Sequence, residues 1–497
     1  MVPQTTKFSY VYDELKQRIT DGQILPGSRL PSSRWLCDEF QVSLYTINNV
    51  LEALKEEGLI ENQPRLAPRV VLRKNMPHPE NIVLSILKQR DGITQLYQTL
   101  VYIMPPLLTF ASRGCDLEIM PHYGQAAEAA KAGMAAGGWR PPSALNRDIL
   151  KTGGSPLIGD LYSTFELHSK LTFFTEQCSY FTEIFLKDNI FGTGALMDIL
   201  KGQDSSVKYR QLTALYQRLS DSIAGTMKYL AGTVPKCPIQ SPAPFSWNPT
   251  RGQDYCYARI VSDLNRKIGS GFYPRGTYLP YEKQLANQYR VSVSTVRKAL
   301  AELEERGYVK KMNAKGTIVT EPDDSRVSQL LPNPRRTKEA LRYLNSLQLL
   351  TLIIHPAALL AAERFTEKEI KELTEKFSRT DSIYLIDMFE AVLKHIELEP
   401  MRVILTEAFR LTEWGYYITY YTKKRRNILS LNDLVLTAHQ YLCKGNAAAF
   451  ADSMEECYRH VLERAKKIMV EEYIFYGAVY IRIPERAGWS KDDLHIG

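Results

Sequence analysis

Residues 279–319 read LPYEKQLANQYRVSVSTVRKALAELEERGYVKKMNAKGTIV, and the order of elements written into them decides the fold. Leu279-Pro280 opens a helix, because proline near the first helical position gives up only an N–H that would have no partner there. Leu285, Ala286 and Tyr289 follow at helical spacing on one face. Arg290-Val291-Ser292 interrupts the pattern, and Ser292 or Ser294 can cap what comes next. The second helix, about Ser294 to Arg306, buries Val296, Leu300 and Leu303. It keeps Ser294, Thr295, Arg297 and Lys298 near its exposed start. Gly307 ends it. Tyr308-Val309-Lys310-Lys311, a turn at Asn313-Ala314-Lys315-Gly316, and Thr317-Ile318-Val319 then make a hairpin carrying three lysines. Such a second helix fits the major groove, its first turn reaching base edges while N–H groups and cations hold phosphates. The alternative is a helical hairpin packed inside an ordinary core.

The chain contains this stretch twice. Moving back 249 positions gives residues 30–71, LPSSRWLCDEFQVSLYTINNVLEALKEEGLIENQPRLAPRVV. Leu30-Pro31, Val42-Ser43, Thr46, Leu51, Leu54 and Gly58 match Leu279-Pro280, Val291-Ser292, Thr295, Leu300, Leu303 and Gly307. Upstream, Leu15, Ile19, Gly22 and Gly27 match Leu264, Ile268, Gly271 and Gly276. Twice the offset is about the whole length, so the chain reads as one two-part unit written twice.

On these residues both segments resemble the winged-helix DNA-binding domain of the GntR family of bacterial transcription regulators. That family's pattern is Gly-x-x-x-Pro-Gly, Leu-Pro-Ser-Glu-Arg-x-Leu-Ala, Val-Ser-Arg-x-Thr-Val-Arg, Leu-x-x-Glu-Gly and a Gly-x-Gly wing. The resemblance implies DNA contacts from Lys283, Ser292, Val293, Ser294, Thr295, Arg297, Lys315 and Gly316 in the second copy, and Lys298 joins them by its place near the exposed helix start. In the first copy it implies Arg34, Ser43, Leu44, Tyr45, Thr46 and Asn48. Both copies depart from the pattern after the Val-Ser pair, where Val293 and Leu44 stand in place of arginine. Asn48 replaces the later arginine of the first copy. Arginine favours guanine and asparagine adenine, so the copies should prefer different bases. The first wing, residues 62–68, has no glycine. Residues 254–322 carry about five more Lys/Arg than Asp/Glu and residues 1–75 about one more. Phosphate contacts dominate affinity, so the second copy should bind more strongly.

The 497 residues suggest three or four domains, with a net charge of +8 that fits nucleic acid better than acidic small molecules. Seven cysteines, an odd number without a C-x-x-C pair, point to reduced thiols and a cytoplasmic location. No basic region leads into an apolar run at the start. The longest apolar stretch, residues 349–362, is interrupted by Thr351, His355 and Pro356 and reads as too short to span a bilayer, so no membrane is expected.

The expected fold is mainly α: a tandem duplication of a winged helix-turn-helix and an all-α effector-type domain. The boundaries are a first winged helix over 8–73, a helical domain over 81–234 and a proline-rich linker over 235–253. A second winged helix follows over 254–322 and a second helical domain over 338–482. Pro106 and Pro356 sit at nearly the same offset, and Leu212-Thr213-Ala214 recurs as Leu436-Thr437-Ala438 at a shorter one, as if the first copy holds an insertion near Gly137.

Helical domains of the FadR-like branch, which the resemblance brings to mind, often hold a small carboxylate, sometimes through a metal. They use Asp-x-x-x-His and two later histidines. Here Asp160 and His168, and Asp387 and His395, are eight apart and do not share that face. His439 and His460 are the remaining metal candidates, with Cys457 where the last ligand would fall, and no metal or cofactor is expected. The aromatic groups Phe173-Phe174, Tyr180-Phe181, Tyr416-Tyr417 and Tyr420-Tyr421 could line an apolar pocket for a small-molecule effector, although such spacing more often means core.

The leading reading is a DNA-binding transcription regulator, a repressor type rather than an enzyme. Two unlike readers on one chain would engage a double-stranded operator, and whether two chains also form a homodimer is left open. One alternative is fusion to a pyridoxal-phosphate aminotransferase-like enzyme. The second winged helix would interrupt that domain, and no strand–helix alternation is present. Another is a scaffold whose winged helices bind protein, against which the polar, cationic start of the second recognition helix argues.

Overall fold

A computed structural model describes residues 7–20, 29–30, 33–40, 42–61, 68–71, 79–132, 140–170, 174–175, 178–186, 192–234, 245–249, 256–269, 272–305, 307–313, 315–320, 334–378, 383–415, 426–471 and 475–485. It is mainly α, with two short antiparallel hairpins. The first wing's turn, Gly137 and Tyr416 to Tyr421 lie outside the described residues, as do most of the two proline-rich segments.

The chain opens with α1 (Lys7–Thr20), α2 (Ser33–Phe40) and α3 (Leu44–Glu56), followed by β1 (Ile60–Glu61) and β2 (Arg69–Val70). Val11, Leu15, Leu36, Ile47, Val50 and Leu54 are fully buried and close a small core of their own. A first helical half follows. It consists of α4 (Pro79–Lys88), α5 (Arg90–Ser112), α6 (Tyr123–Ala132), α7 (Arg140–Ile149), a π turn (Leu150–Gly154), α8 (Pro156–Ser169), α9 (Ser179–Leu186), α10 (Thr193–Lys201) and α11 (Ser205–Thr233).

Then α12 (Cys256–Gly269), α13 (Glu282–Tyr289), α14 (Val293–Glu305), β3 (Val309–Met312) and β4 (Gly316–Val319) rebuild the opening unit. The second helical half is α15 (Pro334–Ala362), α16 (Glu367–Phe377), α17 (Tyr384–Lys394), α18 (Glu399–Thr412), α19 (Arg426–Cys443) and α20 (Ala447–Glu471). Short 3-10 turns at Glu413–Gly415 and Tyr476–Tyr480 complete it.

Each half is organised around a long helix with proline inside it: α5 with Pro105 and Pro106, α15 with Pro356. A proline in a helix interior costs about 3 kcal/mol, so these helices persist because packing holds them. α11 lies along α5, and α20 lies along α15. The two proline helices meet, since α5 packs on both α15 and α18, and the Glu399 N–H donates to Gln95 Oε1 at 3.0 Å across that seam. Arg482 crosses it too. Its guanidinium donates to the carbonyls of Gly153 (2.6 Å) and Phe110 (3.3 Å) and lies over the Phe110 ring.

Three expectations change. Leu212 lies on α11, which packs along the proline helix of its half, whereas Leu436 lies on α19, which packs on α20. The two tripeptides therefore mark helices with different places, and the helix matching α11 is α20. The proline-rich segment is not a free spacer throughout. Phe245 and Trp247 are buried in the first half, Trp247 Nε1 donates to Asp160 Oδ2 at 3.0 Å, and Phe245 packs on Phe165 and His168. Finally, Thr337–Ala362 is long and apolar enough to cross a membrane, beyond the shorter run expected, yet 89 % of its most apolar window is buried inside the protein. It is the core helix of the second half.

Candidate nucleic-acid interface

The start of α14 is built by hydroxyls. Ser292 Oγ accepts from the Thr295 N–H at 3.2 Å and lies 2.7 Å from Ser294 Oγ and 2.8 Å from Thr295 Oγ1. This satisfies an N–H that a helix start would leave without a partner. It also displays three small polar groups at the helix's positive end. Val296, Ala299, Leu300 and Leu303 fix the opposite face in the core. Ser292, Ser294, Arg297 and Lys298 are exposed, and Thr295 is half-buried.

Arg297 is held out by a carboxylate. Its Nε donates to Glu282 Oε2 at 2.6 Å, and Lys311 Nζ lies 3.4 Å from Glu282 Oε1. The Arg297 guanidinium, with Lys311 beside it, keeps the Glu282 carboxyl below its usual range. A single acid on α13 thus bridges α14 and the hairpin of β3 and β4 while the Arg297 side chain remains 64 % exposed. Lys298 points elsewhere, with its ammonium 4.5 Å from the centre of the Tyr257 ring on α12.

The wing pairs Val309 with Val319 through Met312 with Gly316. Lys310, Lys311 and Lys315 are exposed, and the Lys315 N–H donates to Met312 O at 3.1 Å across the turn. Gly316 has φ +105, a conformation that other residues rarely adopt, with Tyr278 and Tyr281 packed near its Cα. Both tyrosines are exposed. Lys283 is exposed at the start of α13. Glu282, Tyr278 and Tyr281 were missed from sequence. Only Glu282 had a signal, since it stands where the resembled pattern carries glutamate.

The first copy repeats the cap and several backbone bonds of this unit. The Thr46 N–H donates to Ser43 Oγ at 3.2 Å, as Thr295 does to Ser292. Leu30 N to Pro68 O corresponds to Leu279 N to Thr317 O, and Val42 N to Cys37 O to Val291 N to Ala286 O. Val71 N to Leu59 O corresponds to Thr320 N to Tyr308 O. Gly58 and Gly307, both at positive φ, follow the ends of α3 and α14. The strand register is also the same, Ile60 to Val70 against Val309 to Val319.

The chemistry differs. Ser43, Leu44, Tyr45 and Asn48 are exposed and Thr46 is half-buried, so polar groups and an aromatic ring begin α3 where Arg297 and Lys298 begin α14. Glu61 takes the place of Lys310. Arg34 lies on α2, and its side chain is outside what is described. The fifteen positions from both copies therefore do not meet in one site. They form two separate surfaces, one cationic and one nearly neutral.

The histidines considered as metal ligands have separate surroundings. His439 Nε2 lies 3.3 Å from Thr374 Oγ1 and from Ile370 O, with its ring edge-on to Phe377. His460 Nε2 lies 3.3 Å from Ser430 Oγ. Among the described residues no cluster of three or more His, Cys, Asp and Glu could hold a metal ion. Asp387 pairs with Lys376, and His395 with Glu369. His168 is mostly buried, and burial lowers it to about 4. Phe174 and Phe181 belong to the core, and Phe181 also lines a cavity.

Residues 8–70 and 256–319 match the family described as bacterial regulatory proteins, gntR family. Over 63 residues the chain is 38 % identical to the HTH-type transcriptional regulator TreR of Bacillus subtilis, covering 13 % of this chain and 26 % of that protein. It is 36 % identical over 66 residues to the arabinose metabolism transcriptional repressor of Geobacillus stearothermophilus, covering 13 % and 18 %. It is 40 % identical over 63 residues to the uncharacterized HTH-type transcriptional regulator YdfD of Bacillus subtilis, covering 13 % of each. The chain thus spans between an eighth and about a quarter of the length of these relatives. A solved structure, Streptococcus agalactiae GntR, aligns with 42 % of this chain and 99 % of its own at 17 % identity, with a TM-score of 0.20 that carries no structural argument. At two places, spaced as the repeat requires and together about a quarter of its length, the chain carries a GntR-family helix-turn-helix domain.

Proposed function

We propose that the chain is a DNA-binding transcription regulator of the GntR type whose two unlike winged helices read an asymmetric double-stranded operator. The observation that carries this reading is the first turn of α14. Ser292, Ser294 and Arg297 stand exposed there with Thr295 beside them, next to a wing whose Lys310, Lys311 and Lys315 face solvent. Hydroxyls and an arginine suit base edges, and the lysines suit phosphates. The two family matches support the same reading.

The seam between α5 and the pair α15 and α18 supports a covalent pseudo-dimer. Packing that would join two chains of a repeated unit lies within one, so a single polypeptide presents both readers. Linking them raises the effective concentration of the second at its half-site. The remaining parts of the proposal are repression, a cytoplasmic location, a small-molecule effector in the helical halves and no enzymatic activity. The named repressors among the relatives support the first of these.

Genome-wide capture of bound DNA supplies the operator, and anisotropy titration of that fragment tests the reading. Arg297→Ala should weaken binding about 5- to 150-fold, the range of one good base contact. Replacing Lys310, Lys311 and Lys315 with Gln should lower the slope of log K against log salt by about three, near one per phosphate contact. Wild-type affinity in Arg297→Ala would remove α14 as the recognition helix.

A further inference from the structure

Within the first helical half, α5, α7, α8, α9, α10 and α11 line a half-open cavity of about 140 Å³. Its wall is chiefly apolar and aromatic, with Met104, Phe165, Phe181 and Tyr216 among the lining residues. Two buried polar atoms that line it have no hydrogen-bond partner among the described residues: Asn146 Oδ1, on a side chain that also hydrogen-bonds Tyr162, and Thr193 Oγ1, on residues 5 % and 4 % exposed. An unpaired buried acceptor of this kind costs about 1–3 kcal/mol, so it calls for an explanation.

The charged group on the same wall is already occupied. Glu166 accepts from Arg147 Nε at 2.9 Å, and also from Arg147 Nη2 and Ser143 Oγ. Ser143 Oγ in turn lies 3.1 Å from the Tyr162 hydroxyl, which burial and the Glu166 charge hold in its protonated form. Arg147 is thus already paired with the carboxylate of the wall. An entering carboxylate would meet the Glu166 charge and the Asn146 carbonyl oxygen, set against the Thr193 hydroxyl, which can donate as well as accept. A hydroxyl or N–H would meet two acceptors. The size is also selective, since a cavity of about 150 Å³ lined by apolar side chains accommodates a benzene ring.

We infer that this cavity is a binding site for a neutral, ring-sized molecule whose hydroxyl or N–H donates to Asn146 Oδ1 and Thr193 Oγ1, and that such a molecule is the effector. The second clause rests on the regulator reading; the binding itself does not. The Glu166 carboxylate on the same wall disfavours an anionic ligand.

The test uses the full chain and three probes that share one ring: phenol, toluene and benzoate, followed by calorimetric titration and thermal shift. Phenol should bind saturably and raise the melting temperature. Toluene, lacking the donor, should bind about five- to tenfold more weakly, the equivalent of one hydrogen bond, and benzoate at least about a hundredfold more weakly, for want of a charge partner. Asn146→Leu should bring phenol down to the toluene level. Thr193→Val makes the same comparison should the first variant not fold. Benzoate binding as well as phenol, an unchanged phenol-to-toluene ratio in both variants, or no saturable phenol binding at millimolar concentration would each overturn the site. Operator titrations on the same samples separate the two readings. DNA binding without phenol binding sinks the site alone, and phenol binding without DNA binding sinks the regulator alone. Phenol binding that leaves operator affinity unchanged removes the effector role.

Discussion

The two winged helices share a backbone and almost nothing of their electrostatics or setting. Caps, bridges and strand register recur 249 positions apart. Yet α14 begins with Arg297 braced on Glu282, while α3 begins with Tyr45 and Asn48. Their cores differ as well. The first unit closes a hydrophobic cluster of its own. The second is continuous with both helical halves, and Asn265 Nδ2 of α12 donates to the Glu413 carbonyl at 3.4 Å. Buried positions that fix a fold resist change, because a lost methylene or cap destabilises. Exposed positions that set charge change freely. The two units therefore share one backbone shape and differ in the chemistry exposed on it.

The largest effect that could break this contrast lies in the cores. Leu54 and Leu303 are equivalent and both fully buried, so Leu→Ala should cost about 2–5 kcal/mol at either. Calorimetry should find Leu54→Ala melting the first winged helix as a separate early transition, and Leu303→Ala lowering the main one. The same response from both variants would mean one cooperative unit.

Acid should act next, and on one side only. His168 contacts Phe245 within the larger core, and its folded value of about 4 lies below the ordinary 6.5. The unfolded chain therefore binds the extra proton between these values. Stability should be full above about pH 6.5 and fall as pH drops toward 4, by at most about 3 kcal/mol. The transition assigned to the helical halves and second reader should move, and that of the first winged helix should not follow this residue. A His168→Phe variant should flatten the acid limb.

The smallest effect sharpens the resemblance. Ser43→Ala and Ser292→Ala each remove one N-cap, worth about 1 kcal/mol. Thermal melts should lose similar amounts in the two variants. A clear inequality would mean that the paired caps are alike in geometry alone.

Much of this was legible in the residues. The 249-residue offset, the two Val-Ser pairs and the glycines at 58 and 307 marked both units, because caps and turns are local and leave local signatures. The mainly α fold followed from periodicity. What escaped depends on contacts between distant residues. Glu282 meets Arg297 only when α13 and α14 cross, and Lys298 finds Tyr257 on another helix. Phe245 and Trp247 alternate in a proline-rich stretch whose composition reads as spacer, although two large apolar side chains were a signal that it packs. Pairing Leu212 with Leu436 relied on a tripeptide, and short apolar strings recur on any helix. Of the cavity only Phe181 was anticipated, since the wall draws on six helices.

The seam of α5 against α15 and α18 also has a hereditary consequence. In an assembly of identical chains one codon writes both sides of the contact, so every substitution is imposed twice. Here each side has its own codon. A change at Asn48 leaves Arg297 as it was, and a loosened residue on α5 can be answered later by another on α18. Each side can thus drift by single steps that symmetry would forbid.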